Sequence, residues 1–296
     1  MTEPDERCRS LSIPVLRYAA FSDGGRGGNP AGVVIEAESL ADHEMLDIAH
    51  RVGYSETAFV AAATADHTRE LRFFSPLAEV AFCGHATIAT AVALRDLGAL
   101  GPLRFVTPAG RIEVTTTTTT VGTLATLESP PATSRPATDT EISRALGALG
   151  WASSDLEPAL PPHVAFAGNH HLVLAARRRE RLADLDYDYD NLAGLMAEVG
   201  WTTVDLVWRE SGQLFHARNP FPPGGVIEDP ATGAAAAAFG GYLRDLGLVD
   251  LREPVTILQG ADMGSPSRLL LDFPREGEGV RVSGLARRLA GPTDPA

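Results

Sequence analysis

Short runs in which apolar and polar positions alternate, or β-branched residues cluster, recur between glycines and prolines. The runs at 13–18, 31–35, 57–62, 71–74, 103–107 and 111–117 each predict a strand. Between them the apolar spacing changes to a helical period. Leu40, Met45, Ile48 and Ala49 predict a helix from an N-cap at Ser39 to about Val52, and a second runs from about His85 to Leu97, closed by Gly98. The threonine row at 115–120 predicts a strand entering a hairpin turn at Val121-Gly122. The stretch 129–138 reads as a linker, because its prolines are unsuited to a sheet interior. Beyond it come a helix near 141–149, a strand near 171–175, a helix near 191–199, strands near 205–208 and 255–258, and a last apolar strand near 280–282.

The chain contains an internal repeat. Residues 79–98 lie over 228–247 without a gap, at a separation of 149 residues, so that Glu79 matches Glu228, Gly84 matches Gly233 and Leu94 to Gly98 match Leu243 to Gly247. Both segments predict a helix of small residues, and alanine on every side implies close neighbours all round. Each helix starts at a glycine whose neighbouring backbone N–H groups lack helical partners. Two such starts facing one cleft would hold a carboxylate without any basic side chain.

Composition narrows the function. The chain has 296 residues, of which 44% are hydrophobic and 21% charged, enough for a full core and about two domains. Its net charge of −13, with no basic run longer than Arg177-Arg178-Arg179, speaks against nucleic acid or an anionic membrane as a partner. No apolar stretch approaches the ~18 residues that cross a bilayer, and Met1-Thr2-Glu3-Pro4-Asp5 has no signal-peptide character. Two cysteines, Cys8 and Cys83, make no disulfide scaffold, so a cytoplasmic protein is expected. There is no lysine, which excludes Schiff-base chemistry and a Walker-type phosphate loop.

Several residues could carry chemistry. Glu56 lies between a helix end and an apolar strand, and reads either as a surface acid or as a half-buried proton-transfer group whose pKa burial would raise. Cys83 and His85 flank Gly84 at a helix start. The thiol is either a small buried apolar residue or a base made acidic by the helix end, and the imidazole a cap, a core residue or part of an anion site. Asp229 holds the matching place in the second half, where helix capping is a sufficient explanation, and Asn29 marks a turn first and a polar contact second. No metal is expected: His170 and His171 are adjacent in a strand and point to opposite faces, and no Cys/His spacing resembles a zinc site. Gly24 to Gly28 are not followed by the helix of a dinucleotide fingerprint, and the hydrolase elbow is missing.

Six motifs occur in one order: Gly28-Asn-Pro-Ala-Gly-Val-Val34, Ser55-Glu-Thr-Ala-Phe-Val60, Arg72-Phe-Phe-Ser-Pro76, Cys83-Gly-His-Ala-Thr-Ile-Ala-Thr90, Thr107-Pro-Ala-Gly110 and Glu228-Asp-Pro-Ala-Thr-Gly233. With them the chain resembles the PhzF-like phenazine-biosynthesis family, which shares the diaminopimelate epimerase fold. The resemblance implies an α+β protein of two pseudo-symmetric lobes, each a curled mixed sheet or barrel around a central helix, with the active site between them. The N-terminal lobe would span 1–130, with a strand near 279–290 returning to it, and the C-terminal lobe 131–278. It also implies a homodimer that uses no cofactor. The best-known member moves a hydrogen in trans-2,3-dihydro-3-hydroxyanthranilate. By that match Glu56, His85 and Asp229 would be catalytic, and Asn29, Ser55, Cys83, Gly84, Gly233 and Ala234 would contact substrate. One departure stands out: the family usually has serine where this chain has Ala234.

The expected function is therefore a cofactor-independent isomerase moving a proton on a small carboxylic acid. Two alternatives stay open. One is a thiol-assisted epimerase or racemase using Cys83, although the second half offers Thr232 where a second thiol would stand. The other is a catalytically silent protein that binds small acids.

Overall fold

A computed structural model describes residues 13–275 and 277–290. Cys8 lies outside the described residues. The chain divides into two compact units, one built from the segment up to Ala20, Pro30–Ala125 and the segment from Leu285, the other from Phe21–Asn29 and Thr126–Gly284.

In chain order the first ten elements are β1 (Leu16–Ala20), β2 (Asn29–Ile35), α1 (Asp42–Val52), β3 (Glu56–Val60), β4 (Thr68–Phe74), β5 (Glu79–Val80), α2 (Gly84–Asp96), β6 (Leu103–Thr107), β7 (Gly110–Thr119) and β8 (Gly122–Glu128). They are followed by β9 (Thr133–Pro136), α3 (Asp139–Leu149), β10 (His163–Phe166), β11 (His170–Ala175), α4 (Arg179–Ala183), α5 (Tyr189–Val199), β12 (Trp201–Arg209), β13 (Leu214–Pro220), β14 (Glu228–Asp229), α6 (Gly233–Asp245), β15 (Val255–Gln259), β16 (Ser267–Asp272) and β17 (Arg281–Arg288).

The repeat extends from sequence to topology. In the first unit β2 pairs parallel with β3, β3 antiparallel with β4, β4 antiparallel with the two-residue β5 and parallel with β6, and β6 antiparallel with β7. In the second, β11 pairs parallel with β12, β12 antiparallel with β13, β13 antiparallel with the two-residue β14 and parallel with β15, and β15 antiparallel with β16. The crossovers carry α1 and α2 in one unit and α5 and α6 in the other. Residues of β17 pair antiparallel with β1 in the first unit, Tyr18 opposite Arg288, and with β16 in the second, Leu271 opposite Val282.

The fold class is that expected: α+β, with a mixed sheet around a small-residue helix in each unit. Every residue from His85 to Leu94 of α2 is buried, and the helix packs on β1, β3 and β7. Ala235 to Leu243 of α6 are likewise buried, against β9 to β12 and β16. The small side chains are a steric requirement. A Cβ on Gly240 would stand 2.8 Å from Val280 Cγ1, and one on Gly241 2.6 Å from Ala132 Cβ. That close approach outweighs the roughly 1 kcal/mol that a helical glycine costs. Outer helices close the cores on the other faces: Met45, Ile48 and Ala49 of α1 pack with Val34, Phe59 and Phe74, and α3 and α5 bring Leu146, Leu149, Leu192 and Met196 onto Leu172 and Leu206.

Two local expectations are corrected. The stretch read as a linker contains β9, which pairs with β10 from Thr133 to Pro136. Pro136 is tolerated because it is the last residue of that strand. The first helix is capped not by Ser39 but at Ala41, whose N–H donates to the Glu44 carboxylate at 2.9 Å, so the reach-back of the third helical residue does the work of a serine cap. No described helix is long and apolar enough to cross a membrane.

Candidate functional site

In the first unit, α1 ends at Gly53, which adopts φ 71° and donates its N–H to Ala49 O. This left-handed closure, natural to glycine, turns the chain so that Tyr54 and Ser55 lead directly into β3. Glu56 is the first residue of that strand and pairs with Ala31 of β2. Cys83 is the N-cap of α2, Gly84 its first residue and His85 its second. The carbonyl of Cys83 accepts from both the N–H and the hydroxyl of Thr87, at 3.0 and 2.7 Å, and this fixes the helix start.

These elements bring four of the expected side chains together. Glu56 Oε2 lies 3.3 Å from His85 Nε2, with side chains 14% and 8% exposed. Ser55 Oγ stands 3.4 Å from the same nitrogen, and Cys83 Sγ 3.3 Å from His85 Nδ1. His85 therefore sits between a carboxylate and a hydroxyl on one edge of its ring and a thiol on the other. Neither a cap nor an isolated core histidine describes it. Glu56 is not a solvated surface acid: its Oε2 is buried and accepts no hydrogen bond among the described residues. Donor atoms of Glu56, Cys83 and His85 all lie within 4.8 Å of one another.

In the second unit, Asp229 ends β14 opposite Asn219. Asn29, 1% exposed, donates from Nδ2 to Asp229 Oδ1 at 2.7 Å and to the carbonyl of Ala231 at 3.0 Å. The Thr232 hydroxyl donates to Asp229 Oδ2 at 2.6 Å. Asp229 is thus not the helix cap that its sequence position suggested, since the N-cap of α6 is Thr232. Its two carboxylate oxygens are held by Asn29, the first residue of β2, and by that N-cap. Gly233 and Ala234 open the helix, which, like α2, has no acidic residue in its first turn and no side-chain hydrogen bond at its cap. Ala234 is half-buried and brings a methyl group to that turn.

Gln259 escaped the sequence reading. It ends β15, is 2% exposed, and brackets the loop on which Asp229 sits. Its Nε2 donates to Asp229 O at 2.7 Å and to Thr232 Oγ1 at 3.1 Å, while its Oε1 accepts from Thr232 N–H at 3.1 Å. The only hint in sequence is a lone amide at an inward position of an otherwise apolar strand.

Two further buried arrangements surround this site. Arg218 on β13 makes a bidentate pair with Glu228, at 3.0 and 2.6 Å, and also donates to the carbonyl of Ala183 at the end of α4. Deeper in the sheet the Thr203 hydroxyl donates to Asn219 Oδ1 at 2.7 Å, and Asn219 Nδ2 donates to Asp205 Oδ1 at 3.0 Å. His171 Nδ1 lies 2.8 Å from Thr203 Oγ1. Because that hydroxyl proton is committed to Asn219, its oxygen accepts, which assigns the proton of His171 to Nδ1. Burial pushes the Asp205 carboxyl up to about 7, against a smaller opposite pull from Asn219, and pushes the His171 imidazole down to about 3.

The sequence profile described as "Phenazine biosynthesis-like protein" matches residues 18–290. Uncharacterized isomerase YfhB of Bacillus subtilis is 30% identical over 289 residues, covering 91% of this chain and 93% of that protein. Trans-2,3-dihydro-3-hydroxyanthranilate isomerase of Pseudomonas fluorescens is 28% identical over 250 residues, 84% of this chain and 86% of that one. Among solved structures, a Bacillus anthracis phenazine biosynthesis protein of the PhzF family superposes with a TM-score of 0.81 at 24% identity, over 94% of this chain and 97% of that chain.

Proposed function

The chain belongs to the phenazine biosynthesis-like protein family and is an isomerase of that family; from this premise we propose that it moves a proton on a small carboxylic acid, with Glu56 as the acid/base group. The observation that carries the reading is the 3.3 Å approach of Glu56 Oε2 to His85 Nε2. A carboxylate with little contact with water, beside a group able to hold or give up a proton, suits abstraction of hydrogen from carbon and its return elsewhere on the same molecule. Groups so placed contribute about 10²–10⁴-fold. His85 orients the carboxylate, and Ser55 fixes the edge of the imidazole on which it stands. The start of α2, which carries no side-chain hydrogen bond at its cap, favours an acid. No cofactor is needed for such a step.

The substrate is proposed as a class. The Pseudomonas fluorescens relative is named for trans-2,3-dihydro-3-hydroxyanthranilate. Ala234 offers a methyl group where the family usually offers a serine hydroxyl, so the substrate of this chain has no need of that contact. Candidate small acids incubated in D2O and followed by NMR test the reading. Wild type should exchange a carbon-bound hydrogen of its substrate, and Glu56→Gln should lose exchange and turnover while still binding. Turnover unchanged in Glu56→Gln removes Glu56 from the mechanism.

A second reading rests on the 3.3 Å contact between Cys83 Sγ and His85 Nδ1. A thiol at a helix start beside an imidazole can itself act as a base, as in a thiol-assisted epimerase. Iodoacetamide separates the two: a Cys83-alkylated protein that keeps full activity excludes the thiol.

A further inference from the structure

We propose that the Glu56–His85 pair also removes water from β-hydroxy carboxylic acids by syn elimination, a second activity that rests on the reading of Glu56 as the acid/base group.

The spacing of the proton-carrying atoms decides which reactions are open. Atoms of Glu56, Cys83 and His85 that can carry a proton all lie within 4.8 Å of one another. Two bases that flank a carbon from opposite faces each approach it to about 3–3.5 Å, which sets them roughly 6–7 Å apart. The cluster is too tight for that, so Glu56 and Cys83 are not an opposed pair, and the groups address one face of a substrate. Taking a hydrogen and protonating a departing group on that same face is a syn elimination. His85 Nε2 stands 3.3 Å from Glu56 Oε2, which suits a hydrogen and an oxygen that leave from the two ends of one carbon–carbon bond. The same nitrogen lies 3.4 Å from Ser55 Oγ, so it already faces a hydroxyl as well as a carboxylate.

The pair enters the step as carboxylate and imidazolium. Glu56 takes the α-hydrogen as a proton, and the electrons of that C–H bond become the new carbon–carbon π bond. The β C–O bond breaks with its electrons on oxygen, and His85 gives that oxygen its Nε2 proton. The products are an α,β-unsaturated acid and water. Glu56 is then protonated and His85 neutral, and passage of one proton across their 3.3 Å contact restores both with no further reactant. Both side chains are largely buried, which keeps bulk water from competing for the Nε2 proton. Isomerisation and elimination share the removal of the first hydrogen. They part at His85, because only elimination needs a proton delivered to oxygen.

The probes are 3-hydroxybutyrate and 3-hydroxy-3-phenylpropionate, incubated with the full-length protein in D2O. Proton NMR reads deuterium at the α-carbon and the alkene in one spectrum. Wild type should form the unsaturated acid from at least one probe, and stereospecific α-deuteration should show that the hydrogen lost is the one syn to the hydroxyl. His85→Gln should lower elimination about 10²-fold or more, and at least about tenfold more than it lowers α-exchange. Glu56→Gln should lose both. Exchange without alkene in wild type overturns the proposal and leaves Glu56 in its role. An alkene formed by anti loss, or formed as fast by His85→Gln as by wild type, overturns it as well. Neither exchange nor alkene from either probe also overturns the second activity, whereas the reading of Glu56 falls only if Glu56→Gln keeps the turnover of the isomerase. The wild-type outcomes need no variant to fold.

Discussion

Asn29 and Asp229 stand 200 residues apart in the chain and are joined by a 2.7 Å hydrogen bond from amide to carboxylate. The same amide reaches the carbonyl of Ala231, so one side chain fixes both the orientation of the carboxylate and the path of the loop behind it. Asn29→Ala removes both bonds from a site that is almost entirely buried. The expected cost is about 1–3 kcal/mol in urea denaturation, with turnover reduced about tenfold or more if Asp229 acts on substrate. Loss of stability with unchanged turnover would leave Asp229 a structural residue.

Gln259 makes the same argument from the other side of the loop. Its three hydrogen bonds tie Asp229 O to both the hydroxyl and the N–H of Thr232. Gln259→Leu keeps the volume and loses all three, and should cost about 2–4 kcal/mol. Gln259→Glu keeps an acceptor for Thr232 N–H and loses the donors, so it should fall between wild type and Gln259→Leu in both stability and turnover. A ranking in which Gln259→Glu matches wild type would show that the acceptor alone positions the loop.

The repeat predicts an asymmetry. Arg72 on β4 reaches Glu79 on β5 with two bonds of 2.7 and 2.8 Å, just as Arg218 on β13 reaches Glu228 on β14. The two arginines occupy equivalent register positions, two residues before Phe74 and Pro220, the partners of Glu79 and Glu228. Their surroundings differ: the side chains of the first pair are 21% and 34% exposed, those of the second 10% and 5%. Arg72→Met should therefore cost less than about 1 kcal/mol. Arg218→Met strands a buried Glu228 and should cost about 3–5 kcal/mol, much of it recovered by adding Glu228→Leu. Equal losses at the two positions would show that burial does not govern the pair.

The architecture was legible because the repeat is a packing requirement written in small residues. A helix enclosed on all sides admits only alanine, glycine and a few larger side chains, and glycines 240 and 241 of α6 leave no room for a Cβ. What stayed hidden lacked a period. β5 and β14 are two residues long, too short for any alternation, and β13 was obscured because Arg218 and Asn219, polar residues, are both buried in it. β9 was misread because Pro136 suggested a linker, whereas the end of a strand accepts proline. At the candidate site, the approach of Cys83 to His85 follows from a spacing of two at a helix start, but nothing in sequence places Glu56 beside them. Gln259 was invisible for the same reason: its partners lie 27 and 30 residues away.

The last prediction concerns pH and the buried chain that links Asp205 to His171 through Asn219 and Thr203. Burial raises Asp205 to about 7 from an ordinary 3.8. Between those values the folded protein keeps a proton that the unfolded chain releases. The stability from this group is complete below about pH 4 and is lost as pH rises through 7. His171 runs the other way. Burial lowers it to about 3 from 6.5, so the unfolded chain takes up a proton that the folded protein refuses, and stability falls as pH drops below 6.5. Over the window they share, the two slopes oppose each other, and each variant should unmask its partner. Asp205→Asn keeps the bond from Asn219 and cannot ionise. Relative to wild type it should gain about 1–4 kcal/mol between pH 5 and pH 8 in urea denaturation, and above neutrality it should be the more stable protein. His171→Phe removes the acid-labile group and should be relatively stabilised as pH falls from 6.5 toward 4. A difference between Asp205→Asn and wild type that stays constant from pH 5 to pH 8 would mean that Asp205 is ionised in the fold at every pH, and that burial has not shifted it.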